Sequence, residues 1–182
     1  MTDQTSLWLF GYGSLIWRPA IPYAERLPAR AAGYERRFYQ GSTDHRGVPE
    51  APGRVVTLVP SAAAFCHGVA YRVAPPDVAA VLHTLDVREQ GGYTRLELPV
   101  QVLGEAPREV TALTYVAAPD NPNWLGPASA AAIALQIARS RGPSGMNREY
   151  LVRLAAALRE LAVDDPHVFE LEREVHGHEE LP

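Results

Sequence analysis

A turn rich in glycine, directly after an apolar segment, is the first place in this sequence where chemistry could occur. The segment at residues 7–11 predicts a buried strand. It runs into residues 11–14, Gly-Tyr-Gly-Ser, where glycine permits a positive φ and lets a ligand approach the main chain closely. Successive N–H groups in such a turn can bind an anion. The pattern therefore indicates either an anion site at the end of a strand or a packed turn leaving the core.

Carboxylates are the candidates for acid and base chemistry. Glu89 follows a predicted helix and precedes a Gly-Gly pair, so it lies at the end of an element beside backbone that can flex over a pocket. Asp86 lies one helical turn earlier and could pair with an arginine. Asp44 and Glu50 lie in the long Gly- and Pro-rich loop at residues 41–53. The spacing does not choose among these four carboxylates.

Nucleophilic and metal chemistry have weaker support in the sequence. Ser14 is not in a G-x-S-x-G motif, and Cys66, at the start of a predicted strand, is typical of an inert core thiol. The six histidines have no spacing that matches a metal site. His176 and His178 lie in a polar tail at residues 176–182. We therefore expect no metal.

The elements that must position these residues follow an order of strands, one helix, two strands and then helices. This order predicts an α+β fold with a mainly antiparallel sheet or small barrel. The strands after the first are predicted at 27–40 (one or two strands), 54–59, 66–73, 94–103 and 109–117. The helices are predicted to begin after 75–77 and to span 128–140, 147–161 (capped by Asn147) and 168–175.

Composition limits the class of protein. With 182 residues, 47% apolar and 21% charged, the chain is typical of one soluble domain spanning residues 1–182. A net charge of −4 argues against nonspecific nucleic-acid binding, and no segment is apolar enough for a signal peptide or a membrane span. Cys66 is the only cysteine, so no intrachain disulfide is possible, which is compatible with a cytoplasmic location. We expect a monomer.

Five segments resemble the ChaC family of γ-glutamylcyclotransferases, in the family's order and over nearly the whole chain. They are YGSLIWRP at 12–19, GSTDHRGVPEAPGRVVTL at 41–58, HGVAYRV at 67–73, LDVREQGGY at 85–93 and GPSGMNREYL at 142–151. The resemblance implies a small mixed, mainly antiparallel β-barrel flanked by helices. It also implies that glutathione is converted to 5-oxoproline and cysteinylglycine without a cofactor.

The same resemblance implies the site residues. Glu89 matches the catalytic acid/base of the family, and Gln90 occupies a position where we expect lysine in many members. The resemblance also implies which residues bind the γ-glutamyl group: Tyr12, Gly13, Ser14, Leu15, Ile16 and Trp17. Tyr150 is similar to a tyrosine that lies near the pocket in the family.

The implied reaction explains why no nucleophile is needed. The substrate's α-amine attacks its own γ-carbonyl, so the protein must supply a base and the folded substrate geometry. The turn N–H groups would hold either the α-carboxylate or the developing oxyanion. The candidates for binding the glycine carboxylate of glutathione are Arg46, Arg54, Arg88 and Arg148. Two alternatives remain, a cyclotransferase for other γ-glutamyl amines and a non-catalytic binding module.

Overall fold

A computed structural model describes residues 6–89 and 91–177 of the chain. In that part, the strands are β1 (Leu7–Gly11), β2 (Glu25–Ser42), β3 (Gly53–Val73), β4 (Thr94–Val102), β5 (Arg108–Val116), β6 (Arg141–Gly142) and β7 (Gly145–Met146). The helices are α1 (Val78–Arg88), α2 (Ala130–Arg139), α3 (Asn147–Glu160) and α4 (Pro166–Gly177), with 3₁₀ turns at Ser14–Ile16 and Pro75–Asp77.

The first five strands form a closed barrel in the order β1-β3-β2-β4-β5. β1 pairs antiparallel with β3, placing Leu9 opposite Tyr71. It closes the barrel by pairing parallel with β5, where Leu9 lies opposite Leu113. β4 pairs antiparallel with both β2 and β5. The predicted α+β class with a mixed, mainly antiparallel barrel is confirmed.

By its contacts the chain divides into two compact units, Met1–Glu35 with Pro60–Val116 and Arg36–Val59 with Ala117–Pro182. In the first unit, β1 and β3 bury large side chains such as Phe10 and Tyr71. In the second, α2 and α3 each pack against α4, burying apolar faces that include Ile137 and Leu154. Because β2 and β3 each run through both units, the single domain predicted for residues 1–182 stays a prediction.

One strand boundary predicted from the sequence is wrong. β3 is one strand of 21 residues, whereas the sequence predicted two strands that end and begin on either side of Pro60. Proline removes only an N–H donor and is compatible with extended backbone where that donor is not needed. Pro60 is exposed, and the strand continues through it.

The cap predicted for α3 is also wrong. Met146 is the N-cap, and Asn147 is the first residue of the helix. The Asn147 side chain is buried and bonds both backbone groups of Arg54 at the start of β3. The Arg54 N–H donates to Asn147 Oδ1 (2.6 Å), and Asn147 Nδ2 donates to the Arg54 carbonyl (2.8 Å). The residue therefore joins a helix to a strand rather than capping the helix.

The predicted polar tail at 176–182 begins inside α4, which extends to Gly177. Residues 178–182, including His178, lie outside the described part of the chain, as does Gln90. No helix within residues 6–89 and 91–177 is long and apolar enough to cross a membrane.

Candidate functional site

The turn predicted after the first strand is a single 3₁₀ turn at Ser14–Ile16, two residues beyond the end of β1. A Cβ atom on Gly11 would lie 2.7 Å from Leu15 Cβ, so the turn folds back on the strand end in a way that requires glycine. Gly13 precedes the turn with a φ of −122°, so the positive φ that the sequence permitted is not adopted there. The turn therefore needs glycine at position 11 because of close packing, and not at position 13 because of a positive φ.

Two side chains of the barrel hold the backbone of this turn. The Tyr71 hydroxyl donates to the Leu15 carbonyl (2.7 Å), and Arg26 Nη2 donates to the Ile16 carbonyl (3.1 Å). Tyr71 is fully buried, and burial raises the pKa of its phenol, so it stays a proton donor at neutral pH. Neither contact was predictable from the sequence, because strand pairing rather than sequence proximity brings Tyr71 to the turn.

The predicted binding residue Tyr12 is itself buried. Its hydroxyl donates to the Tyr115 backbone carbonyl at 2.6 Å, which ties the start of the turn to β5. Ile16 is also buried, whereas Trp17 is half-buried. Tyr12 therefore belongs to the core beside the turn.

The first N–H groups of the turn are the ones available to a ligand. The Ile16 N–H donates to the Gly13 carbonyl (2.9 Å), and the Arg18 N–H donates to the Ser14 carbonyl (2.8 Å). The N–H groups of Ser14 and Leu15 come before the first bond of the turn, so no carbonyl within the turn accepts from them. Both residues are half-buried. The turn can therefore offer two adjacent N–H groups to an anion.

Glu89 lies immediately after α1, and its N–H donates to the Leu85 carbonyl at 2.9 Å. Its side chain is 20% exposed, so it is neither fully solvated nor fully buried. The helix ends at Arg88, before the glycine pair that was predicted to stop it, and the pair forms the turn that follows, with Gly92 at a φ of +91°. Glu89 is thus fixed at an element's end while its carboxylate stays accessible.

Arg88 connects Glu89 to the turn. Arg88 Nη2 donates to Ser14 Oγ at 2.7 Å, and Arg88 Nε lies 3.8 Å from Glu89 Oε1. A single guanidinium therefore contacts the predicted anion-binding turn and lies beside the predicted acid/base. Within the first unit, the structure brings together these two parts of the predicted site.

Asp86 has a different environment, although it is on the same helix. Its carboxylate accepts hydrogen bonds from both Nε and Nη2 of Arg95 and, at 2.8 Å, from the Tyr115 hydroxyl. The Arg95 hydrogen bond and then that of Tyr115 hold the pKa of Asp86 below its usual value. Its sequence-suggested partners, Arg88 and Arg46, are not the ones it contacts. Asp86 is a weak base with a structural role.

The remaining predicted residues belong to the second unit. Asp44 and Glu50 are exposed, and Asp44 lies 3.8 Å from His45 Nε2. Tyr150 is buried in α3 and packs edge-on against the Phe38 ring at 6.0 Å between centroids. Neither loop carboxylate has an environment that favours a role as a base.

Two of the four candidate arginines are engaged inside the second unit. Arg46 Nη1 donates to the Met146 carbonyl and to Glu149 Oε2, each at 3.1 Å. Arg54 is buried and donates to the Phe38 carbonyl at 2.9 Å. Both guanidinium groups hold segments of this unit together, which removes them as candidates for the substrate's glycine carboxylate.

The described residues contain no cluster of three His, Cys, Asp or Glu side chains that could hold a metal ion. His178, which the sequence analysis placed in the polar tail, lies outside residues 6–89 and 91–177.

Comparison with known proteins identifies the family of the chain. A family model described as "ChaC-like protein" matches residues 7–178. The chain is 46% identical to glutathione-specific gamma-glutamylcyclotransferase 1 of Danio rerio over 176 residues, covering 94% of this chain and 90% of the relative. It is 48% identical to the Homo sapiens protein of that name over 155 residues, covering 84% of this chain and 70% of the relative. A crystal structure of a glutathione-specific γ-glutamyl cyclotransferase from yeast matches with a TM-score of 0.90 at 32% identity, covering 96% of this chain and 97% of the yeast chain. The chain belongs to the ChaC-like family.

Proposed function

We propose that this protein is a glutathione-specific γ-glutamylcyclotransferase that releases 5-oxoproline and cysteinylglycine. The names of its relatives support the substrate and the reaction class. The observation that carries the proposal is the contact of Arg88 with Ser14 at 2.7 Å, with Glu89 Oε1 3.8 Å from the same guanidinium. An anion-binding turn and an accessible carboxylate are the two parts that an internal cyclisation needs.

The reaction proceeds within one substrate molecule. The α-amine nitrogen of the γ-glutamyl group attacks the γ-carbonyl carbon and closes a five-membered ring. The amide bond to cysteine then breaks, and its nitrogen leaves with the two protons that the substrate ammonium loses on becoming the ring amide. No water, oxidant or co-reactant enters the balance. Holding the chain in this folded shape supplies the effective molarity of an intramolecular reaction.

Glu89 acts as the acid/base in this proposal. It takes a proton from the substrate ammonium, because only the neutral amine is nucleophilic, and returns it to the cysteine nitrogen. Asp86 is a poor competitor for this role because Arg95 and Tyr115 occupy its oxygens. Ser14 is not required as a nucleophile, since its Oγ accepts the hydrogen bond from Arg88.

The residues of the turn bind the γ-glutamyl group. The N–H groups of Ser14 and Leu15 face either the α-carboxylate or the oxyanion that develops on the γ-carbonyl. Gly13, Ile16 and Trp17 complete the segment, and Tyr12 supports it from below through its bond to β5. Tyr150 stays a proposed contributor, based on the family resemblance.

We also propose that the enzyme is a monomer in the cytoplasm, where reduced glutathione would be its substrate. The chain's single cysteine, Cys66, is buried, so no intrachain disulfide is part of the fold. Size-exclusion chromatography with light scattering tests the oligomeric state, and a mass near twice 19.9 kDa would contradict it.

The test is incubation of the purified protein with reduced glutathione, followed by mass spectrometry of the products. The proposal predicts 5-oxoproline and cysteinylglycine in equal amounts. Free glutamate would instead indicate hydrolysis. Turnover of other γ-glutamyl amines without turnover of glutathione would keep the chemistry and change the substrate, whereas no turnover of either would favour a binding module.

A further inference from the structure

The last residue of α1, Arg88, directs its guanidinium into the protein. Arg88 Nη1 donates to the carbonyls of Arg18 (3.1 Å) and Pro19 (3.2 Å), and Nη2 donates to Ser14 Oγ (2.7 Å). The side chain is 23% exposed. These acceptors belong to the 3₁₀ turn and to the loop that follows it, so one side chain fixes both segments against the end of α1.

The hydrogen-bonding capacity of Arg88 is largely used by these contacts. A guanidinium has five N–H donors, and a carboxylate is bound bidentately by two parallel donors on one edge. In Arg88, the edge formed by Nη1 and Nη2 is occupied by the carbonyls of Arg18 and Pro19 and by the Ser14 hydroxyl. The other edge includes Nε, which lies 3.8 Å from Glu89 Oε1. A glycine carboxylate on that edge would lie beside the like charge of the Glu89 carboxylate, which disfavours its binding there.

We propose that Arg88 is a positioning residue that sets the placement of the Ser14 turn relative to Glu89. The inference rests on the proposed function and replaces the earlier interpretation of Arg88 as a substrate-carboxylate ligand. Its physical basis is the sensitivity of catalysis to small displacements, since a misplacement of about 1 Å can cost roughly 10²-fold in rate.

The shape of the guanidinium is essential to this role. Arg88 contacts three acceptors on two chain segments while remaining adjacent to Glu89. A lysine ammonium is a compact point charge on a flexible stem and cannot reproduce this planar fork. A role based on charge alone would be preserved by lysine, whereas a positioning role would not.

The test compares Arg88→Ala and Arg88→Lys with the wild type on two substrates, glutathione and glutathione in which the glycine carboxylate is an amide. We expect Arg88→Ala to lower kcat/KM by about 10²-fold on both substrates alike. We expect Arg88→Lys to recover less than a tenth of the lost activity. We also expect millimolar guanidinium ion to restore turnover of Arg88→Ala saturably, which a loss of global stability would not allow.

Arg95→Ala is the matched control. It removes an exposed arginine of β4 that pairs with Asp86 on α1, the helix that also carries Arg88. Arg95 does not contact the turn. We expect wild-type turnover and no effect of guanidinium in this variant. Unfolding temperatures of all variants are compared, and Arg88→Lys serves as the test variant if Arg88→Ala does not fold.

Several results would overturn the inference. They are normal turnover in Arg88→Ala, wild-type kcat/KM in Arg88→Lys, and a fall in kcat/KM that appears with glutathione but not with its glycine amide. In each of these cases the wild type still forms 5-oxoproline, so the proposed function survives. A wild type that forms no 5-oxoproline would remove the proposed function and the inference together.

Discussion

Two carboxylates, Asp86 on α1 and Glu89 just after it, differ at the residue scale because strands β4 and β5 supply hydrogen-bond partners to Asp86. The register of β4 and β5 places Arg95 opposite Tyr115, and both side chains contact Asp86. Glu89 lies one helical turn later, beyond this pair, with the guanidinium of Arg88 at 3.8 Å. The sequence could not separate the two carboxylates because the partners of Asp86 come from the barrel.

Asp86→Asn tests this separation directly. The variant keeps the size of the side chain but removes the charge that Arg95 pairs with. Because the proposed base is Glu89 and Asp86 is held by Arg95 and Tyr115, we expect kcat to stay within about threefold of the wild type, with a modest fall in unfolding temperature. A loss of turnover comparable to that of Glu89→Gln would contradict the assignment of the base to Glu89.

Tyr71→Phe tests whether the turn depends on its support from the barrel. The change removes the hydroxyl that donates to the Leu15 carbonyl, while the ring stays in place. Leaving this carbonyl without its donor should lower the free energy of unfolding by about 1–3 kcal/mol. It should also lower kcat/KM by roughly tenfold, because the turn is held less firmly.

Tyr23→Phe is the control for this variant. Tyr23 is 46% exposed and packs against Tyr71 with the ring planes tilted at 55° and the ring centroids 5.0 Å apart. We expect it to behave like the wild type in steady-state kinetics. Equal effects of the two substitutions would show that the Tyr71 hydroxyl has no special role at the turn.

At the scale of elements, local patterns predicted β4 and β5 well but divided β3 wrongly into two strands. β4 and β5 begin and end within one residue of their predicted bounds, because alternation and flanking turns define them. β3 continues through Pro60, and Asn147 bonds a distant strand rather than its own helix. Both differences arise from tertiary pairing, which a local pattern does not contain.

Asn147→Ala tests the link between α3 and β3. The change leaves the N–H and the carbonyl of Arg54 without their side-chain partner in a buried environment. We expect the free energy of unfolding to fall by roughly 2–4 kcal/mol, measured by urea denaturation. Ser129→Ala removes an ordinary cap on α2, where Ser129 accepts from the Ala132 N–H, and should cost only ~1 kcal/mol. A smaller fall in the free energy of unfolding for Asn147→Ala than for Ser129→Ala would contradict this account.

At the scale of the whole molecule, His167 connects stability to pH. Its Nε2 accepts a hydrogen bond from the Phe38 N–H at 3.2 Å, which requires a neutral ring. Burial, and then the charge of Arg37, lower its pKa from 6.5 to about 4, with Arg36 acting in the same direction and Asp165 against it. Between pH 6.5 and about 4 the unfolded chain therefore binds a proton that the folded chain does not.

The sign of this linkage gives a prediction. As the pH falls through that range, His167 should lower the free energy of unfolding by at most ~1.4 kcal/mol per pH unit. His167→Gln should flatten the decline in the free energy of unfolding between pH 6.5 and 4, measured by urea denaturation. An unchanged slope in His167→Gln would contradict the linkage.

The site as a whole was only partly predictable from the sequence. The turn and Glu89 are contained in short contiguous segments, so a family resemblance could identify them. Tyr71, Arg26 and the contacts of Arg88 were not predictable, because strands β2 and β3 and the end of α1 bring them to the turn. The residues proposed for the chemistry lie in short segments of the sequence, whereas the side chains that hold the turn come from distant strands and from the end of α1.

The measurement that tests the central claim most directly is product analysis of wild type and Glu89→Gln with reduced glutathione. Glutamine is nearly isosteric with glutamate but cannot carry the proton. We expect the wild type to form 5-oxoproline and cysteinylglycine, and Glu89→Gln to form them about 10²–10⁴-fold more slowly, with an unchanged unfolding temperature. Near-normal formation of 5-oxoproline by Glu89→Gln would contradict the account.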